Sequence, residues 1–163
     1  MGMCANYQPM ADGDLEKRFG LDDVEELQEN EELEICDIDK MWDALHFLLT
    51  GRSAEEPIEG NLLSEAIVGQ RNLSGKDVDE WIAGTTADRV KEIAQALQEI
   101  DFETYLASFD RSAFSRNRIY PDIWEYEEEE EEIKEDLQIS FETLKAFYEK
   151  MAARGSAVLV SIY

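Results

Sequence analysis

The C-terminal run Ala157-Val158-Leu159-Val160-Ser161-Ile162-Tyr163 constrains the fold of this chain more than any other segment. It follows Arg154-Gly155, a helix-stopping pair, and it is apolar enough to be a strand buried on both faces. Such a strand needs neighbours to take up its backbone hydrogen bonds. Residues 2–10, a mixture of small, aromatic and apolar side chains, predict a short strand ended by Pro9. Pairing the two brings both ends of the chain into one small sheet. A length of 163 residues fits one domain over 1–163. The expected class is therefore α+β: a small sheet pairing the N- and C-terminal strands, packed against several helices.

The helices are read from apolar spacing. Asp12 or Asp14 is a candidate cap for a short helix ending at Gly20, and Leu21, Val24, Leu27 and Leu33 keep helical spacing within acidic surroundings. The segment from Asp37 to Thr50 is expected to be a helix capped by Asp37 and stopped by Gly51. Its Ile38, Met41, Trp42, Leu45, Leu48 and Leu49 share one face, and Phe47 points nearly opposite. Residues 61–68 predict a short helix closed by Gly69, and Trp81-Ile82-Ala83 either a brief strand or a plug in the core. Thr85 or Thr86 is expected to cap a helix from Ala87 to about Ile100, and residues 101–115 one further helical segment. After a loop fixed by Pro121, one long helix is expected from the acidic block at 125–136 to Ala153. Ile133, Leu137, Phe141, Leu144, Tyr148 and Met151 line its buried stripe.

Charge narrows the partners. Thirty-nine acidic residues against 15 basic ones give a formal net charge of −24. Nucleic acid and anionic membrane surfaces are recognised through positive charge, so neither is an expected partner. A basic protein or a cation would be attracted, and high solubility alone also accounts for the charge. Cys4 and Cys36 have neither a disulfide framework nor a metal-ligand spacing, so free thiols are expected. There is no secretory signal pattern and no run of about 20 apolar residues, which makes a cytoplasmic location the expectation.

No catalytic set stands out. His46, the only histidine, admits two readings. In one it is a pocket group, oriented by Asp39 or Asp43, with the other ring nitrogen free. In the other it is a buried histidine satisfied by hydrogen bonds at a helix–loop junction. Gly-x-Ser-x-Gly, Gly-x-x-x-x-Gly-Lys-Ser/Thr and Gly-x-Gly-x-x-Gly are all missing, Ser53 reads as a turn residue, and the acidic pairs do not follow the EF-hand pattern. No cofactor and no metal is expected. Arg116, Arg118, Tyr120 and Trp124 are either an anion site or, as the simpler reading, a tie to Glu125, Glu127 or Glu128.

Asp37-Ile38-Asp39-Lys40-x-Trp42-x-x-Leu45-His46-Phe47-x-Leu49-Thr50-Gly51 resembles the YfbM-like family, a bacterial family of unknown function. Met1-Gly2-Met3, Ile119-Tyr120-Pro121-x-Ile123-Trp124, Leu144-x-x-Phe147-Tyr148 and Ala157-Val158-Leu159 resemble its other parts in the same order. The resemblance spans nearly the whole chain, with departures in the acidic stretches 22–34 and 125–136. It implies a compact α+β domain in a small cytoplasmic protein and supplies no reaction, ligand or catalytic residue. The matching positions Asp39, Lys40, Trp42, His46, Thr50, Gly51, Tyr120 and Pro121 are candidates for a shared site and equally for a shared core. Three functions follow as expectations. The first is an acidic binding protein that regulates a basic partner. The second is a small-molecule-binding protein or enzyme with a pocket built from His46, Trp42, Asp39, Lys40, Thr50 and Tyr120. The third is a purely structural role for the shared motif.

Overall fold

A computed structural model describes residues 3–10, 35–73 and 81–163. The sheet has five antiparallel strands in the order β2-β1-β5-β4-β3. These are β1 (Ala5–Met10), β2 (Cys36–Asp37), β3 (Arg71–Asn72), β4 (Trp81–Thr85) and β5 (Ala157–Ile162). The C-terminal strand lies at the centre, with every residue buried, and pairs with β1 from Ala5↔Ile162 to Met10↔Ala157. The expected union of the two ends in one sheet is what forms.

Pro9 does not end β1. Cys4 and Tyr163 exchange both backbone bonds, so residues 6, 8 and 10 are the ones that bond to β5. Pro9 falls between them, opposite Val158, where β5 requires no N–H of it. The two-residue strand β3 was not anticipated from sequence, because Arg71 and Asn72 are exposed and carry no apolar signal.

The helices are α1 (Trp42–Thr50), α2 (Leu62–Val68), α3 (Ala87–Gln98), α4 (Phe102–Ala107), α5 (Arg111–Arg116) and α6 (Glu130–Arg154). Local chemistry sets their ends. The Asn61 side chain accepts from Leu63 N and Ser64 N, and Thr86 Oγ1 accepts from Arg89 N. Gly51 (φ 79°) closes α1 in the left-handed conformation, donating its N–H to Phe47 O. Residues 101–115 form two helices rather than one, because Asp110 accepts from Ser112 N and starts a new helix there. Asp37 belongs to β2 and does not cap α1. Its Oδ1 accepts from Asp39 N at 2.7 Å, at the start of a 3-10 turn, Asp39–Met41, that leads into α1 and has Ile38 as its N-cap. The acidic block is ordered as a 3-10 turn at Glu127–Glu129 and the first turns of α6, with carboxylates at the positive end of the helix dipole. The expected segments between Asp12 and Leu33 lie outside the described residues.

The main core fills the space between one sheet face and the helices. Ile133, Leu137, Phe141, Leu144, Tyr148 and Met151 of α6 meet Val90, Ile93 and Leu97 of α3, Leu45 and Leu49 of α1, and Val158 and Val160 of β5. A smaller cluster of Met10, Ile82, Ala157 and Leu159 lies on the other sheet face. No helix among the described residues is long and apolar enough to cross a membrane.

Candidate functional site

The six residues singled out from sequence divide into three places. His46 and Thr50 lie inside, at the C-terminal end of α1. The imidazole is fully buried. Its Nδ1 is 2.7 Å from Arg52 O and its Nε2 is 2.7 Å from Ser64 Oγ. A neutral ring satisfies both: Nδ1–H donates to the carbonyl, and Nε2 accepts the Ser64 hydroxyl proton. Ser64 Oγ in turn accepts from Ile58 N at 3.0 Å. Thr50 donates its hydroxyl to His46 O at 2.7 Å and accepts from Arg52 N at 3.2 Å. Burial pushes the histidine pKa below its ordinary value, against the opposing pulls of the Arg52 carbonyl and the Asp43 charge. Neither Asp39 nor Asp43 orients the ring. The network fixes the loop at 52–58 onto α1 and α2, and it leaves no ring nitrogen free for a base.

Trp42 and Tyr120 form the second place. Their rings stack with centroids 5.5 Å apart. Between them they hold the backbone of one residue: Met3 N donates to Tyr120 Oη at 2.7 Å, and Trp42 Nε1 donates to Met3 O at 2.9 Å. Asp43, a residue considered from sequence only as a neighbour for His46, holds this unit from behind. It is almost fully buried. Its Oδ2 accepts from Tyr120 N at 2.8 Å, and its Oδ1 accepts from Ala54 N at 2.6 Å and Ser53 Oγ at 2.9 Å. The sequence carried one hint of this role: Asp43 lies within the apolar run that makes α1.

Asp39 and Lys40 form the third place, and here the surface is open. The turn Asp37–Met41 and one side of α6 enclose a groove of about 360 Å³. Asp37, Asp39 and Asp136 line it together with one lysine, Lys40. Its apolar wall comes from Ile38, Met41, Pro121 and Ile139, and the Ile139 side chain is 61% exposed. Asp39 has φ 52°, a left-handed conformation that an aspartate tolerates and that the Asp37 side chain stabilises by holding its N–H. Asp39 Oδ1 accepts from the Cys4 thiol at 3.1 Å, and that bond raises the Cys4 pKa. Cys36, buried in β2, has its pKa pushed up to about 12 by burial. Both thiols therefore favour the protonated form, which is the unreactive one.

A second cavity of about 210 Å³ lies beside α2, between Gly60, Ser64, Glu65, Gln70 and Trp81. Its polar groups are engaged: Glu65 pairs with Arg89 Nε at 2.9 Å, Ser64 serves His46, and Trp81 Nε1 donates to Val68 O at 2.7 Å. The arginines before the acidic block do not pair with it. Arg116 faces Asp110 at 3.9 Å and donates to Ser112 Oγ at 3.2 Å. Their expected tie to Glu125, Glu127 or Glu128 is not made, because Asp110, which starts α5, stands nearer. Among the described residues, no three His, Cys, Asp or Glu side chains cluster closely enough to hold a metal ion.

Comparison with known proteins gives this arrangement a family. The model of a domain of unknown function, DUF1877, matches residues 1–161. The chain belongs to the DUF1877 family. Within it, Protein YfbM of Escherichia coli (strain K12) is 30% identical over 126 residues, covering 77% of this chain and 75% of YfbM. The crystal structure of YfbM, a protein of unknown function from Escherichia coli, superposes with a TM-score of 0.83 at 25% identity. The match covers 98% of this chain and 99% of that one. The resemblance seen in the sequence is thus a family membership, and the α+β fold is that of the solved YfbM structure. No function is established for the relatives, so the chemistry of the groove must be argued from the groove itself.

Proposed function

We propose that this DUF1877 protein is a cytoplasmic interaction protein whose groove binds a basic, partly apolar segment of a partner protein. One observation carries the reading. Three aspartates and one lysine line an open groove whose apolar lining includes the exposed Ile139 and the half-exposed Pro121, on a chain of net charge −24. Acidic groups favour a cationic partner and speed its encounter, while the apolar wall supplies area to bury. Two free thiols suit a reducing compartment. An enzymatic role draws no comparable support, because His46 has both ring nitrogens engaged and both thiols are biased towards protonation.

The test uses a blocked peptide repeating Val-Val-Lys-Lys, titrated calorimetrically at near-physiological salt. The expected result is saturable binding that weakens about tenfold or more in Asp136→Lys and in Ile139→Glu. A triple change of Glu127, Glu128 and Glu129 to Gln removes three charges outside the groove and is expected to leave affinity within about threefold. Equal weakening by all three variants would reduce the interaction to diffuse charge and end the proposal.

A further inference from the structure

At one margin of the same groove β2 is, among the described residues, the edge strand of the sheet, and we infer that the partner segment binds there as an added β-strand alongside β2. This rests on the basic-segment reading above and specifies how the segment is held. The ladder between β1 and β2 decides which backbone groups are available. Tyr7 and Cys36 face each other, and Ile38 N donates to Ala5 O at 3.2 Å, so Cys36 and Ile38 turn their backbone groups towards β1. By alternation, Asp37 and Ile35 turn their N–H and C=O groups the other way. Among the described residues β2 is the last strand on this side of the sheet. Asp37 and Ile35 are both exposed, and no backbone bond among the described residues reaches the outward groups of either. Such an edge is a template for a further strand.

The side chains around the edge fit one kind of occupant. Among the described residues the exposed large apolar side chains are Ile35, Ile139, Tyr126 and Tyr163, and two of these flank β2. Ile35 shares a strand face with Asp37, two residues on. Ile139 stands on α6 one turn from Asp136, beside the groove. Each face of an added strand would therefore meet one isoleucine and one aspartate. The α6 wall runs from Asp136 to Thr143, about 10 Å at the helical rise, which an extended segment of about three residues spans. A segment with an apolar and a basic side chain on each face, in extended form, is complementary to that surface. In contrast, a segment held only by charge would make no use of the open Asp37 backbone groups.

Backbone methylation separates the two. In the Val-Val-Lys-Lys repeat each face of the extended chain carries both a valine and a lysine, so either peptide edge can pair with β2. N-methylation of the amides along one edge is expected to leave affinity within about threefold. Methylation along both edges keeps every charge, yet is expected to cost about tenfold or more, from the loss of backbone bonds to Asp37 and Ile35. In the complex with the unmethylated peptide, hydrogen exchange at the Asp37 amide should slow at least about tenfold. If the doubly methylated peptide binds as well as the parent, or one edge alone costs as much as both, strand addition is wrong and the groove reading survives. If the parent peptide does not bind, or ignores Asp136→Lys, the groove reading itself falls.

Discussion

Replacing Asp43 by asparagine tests whether the buried carboxylate of α1 is there for its two acceptor oxygens. Three donors converge on it: Tyr120 N at 2.8 Å, Ala54 N at 2.6 Å and Ser53 Oγ at 2.9 Å. A carboxylate accepts all three, whereas an amide of the same shape offers one oxygen and one NH2. Whichever way the substituted amide turned, its NH2 would face a backbone N–H. The change therefore loses one charge-assisted bond outright and leaves a buried donor unpaired, which costs about 1–3 kcal/mol. The remaining bonds drop from the charged range to the neutral one, about 1 kcal/mol each. Removing a buried charge returns part of this, because the carboxylate was desolvated on folding. The net expectation for Asp43→Asn is a loss of about 2–4 kcal/mol, read as a fall in Tm of about 5–12 °C for a chain of this size. Thermal melts and urea unfolding would measure it, with the exposed Asp39→Asn as the control, expected within about 0.5 kcal/mol of the parent. If Asp43→Asn were as stable as the parent to that margin, the three bonds would not be holding the 53–54 loop and the Tyr120 loop to α1.

His46 is the only imidazole, so its ring-proton resonance reports one group, and it should titrate below the usual value of about 6.5 because burial disfavours the charge. A proton taken up more readily by the unfolded chain costs stability, so this contribution is intact above pH 6.5 and declines as pH falls from there towards the folded pKa. A titration at or above 6.5 would contradict the buried neutral ring. A Cβ at Gly69 (φ +87°) would stand 2.5 Å from Ala83 Cβ, whereas one at Gly51 (φ +79°) meets nothing within 4 Å. Gly69→Ala should therefore cost at least about 2 kcal/mol more than Gly51→Ala in urea unfolding, since only the second is limited to the left-handed backbone penalty. Finally, Asp39→Asn should speed alkylation of Cys4 at neutral pH, because the carboxylate that accepts the thiol proton would be gone. An unchanged rate, followed by mass spectrometry of the modified peptide, would deny the Cys4–Asp39 contact.

Apolar patterning made the framework legible. The β5 run, the stripe of α6 and the face of α3 each announced a buried surface by period, and the partnering of β5 with β1 followed from where two strand-like runs lay. What periodicity could not supply was the destination of polar side chains. His46 was expected either to serve a pocket or to be satisfied at a junction, and only coordinates distinguish Arg52 O and Ser64 Oγ from an open nitrogen. Asp43 looked like one more acid in an acidic chain, because nothing in a sequence distinguishes a carboxylate facing three donors from one facing water. β3 and the break at 108–110 were missed for a related reason: short elements held by one or two backbone bonds leave no period to count.

The geometry also separates what a shared motif secures from where a ligand has room. Trp42, Tyr120, His46 and Thr50 spend their polar atoms on backbone groups of Met3, Arg52 and their own helix, directly or through Ser64. Removing any of them would be felt first as lost stability, so loss of function on mutation would not by itself locate a site there. Asp39 and Lys40, from the same motif, instead line a groove whose opposite wall carries Asp136, from the acidic stretch at 125–136. The groove thus combines a turn set by the motif with a wall set by this chain's own acidity. Exchanging Asp136 and Ile139 should therefore change which segment binds, and leave unchanged the extended form in which it binds.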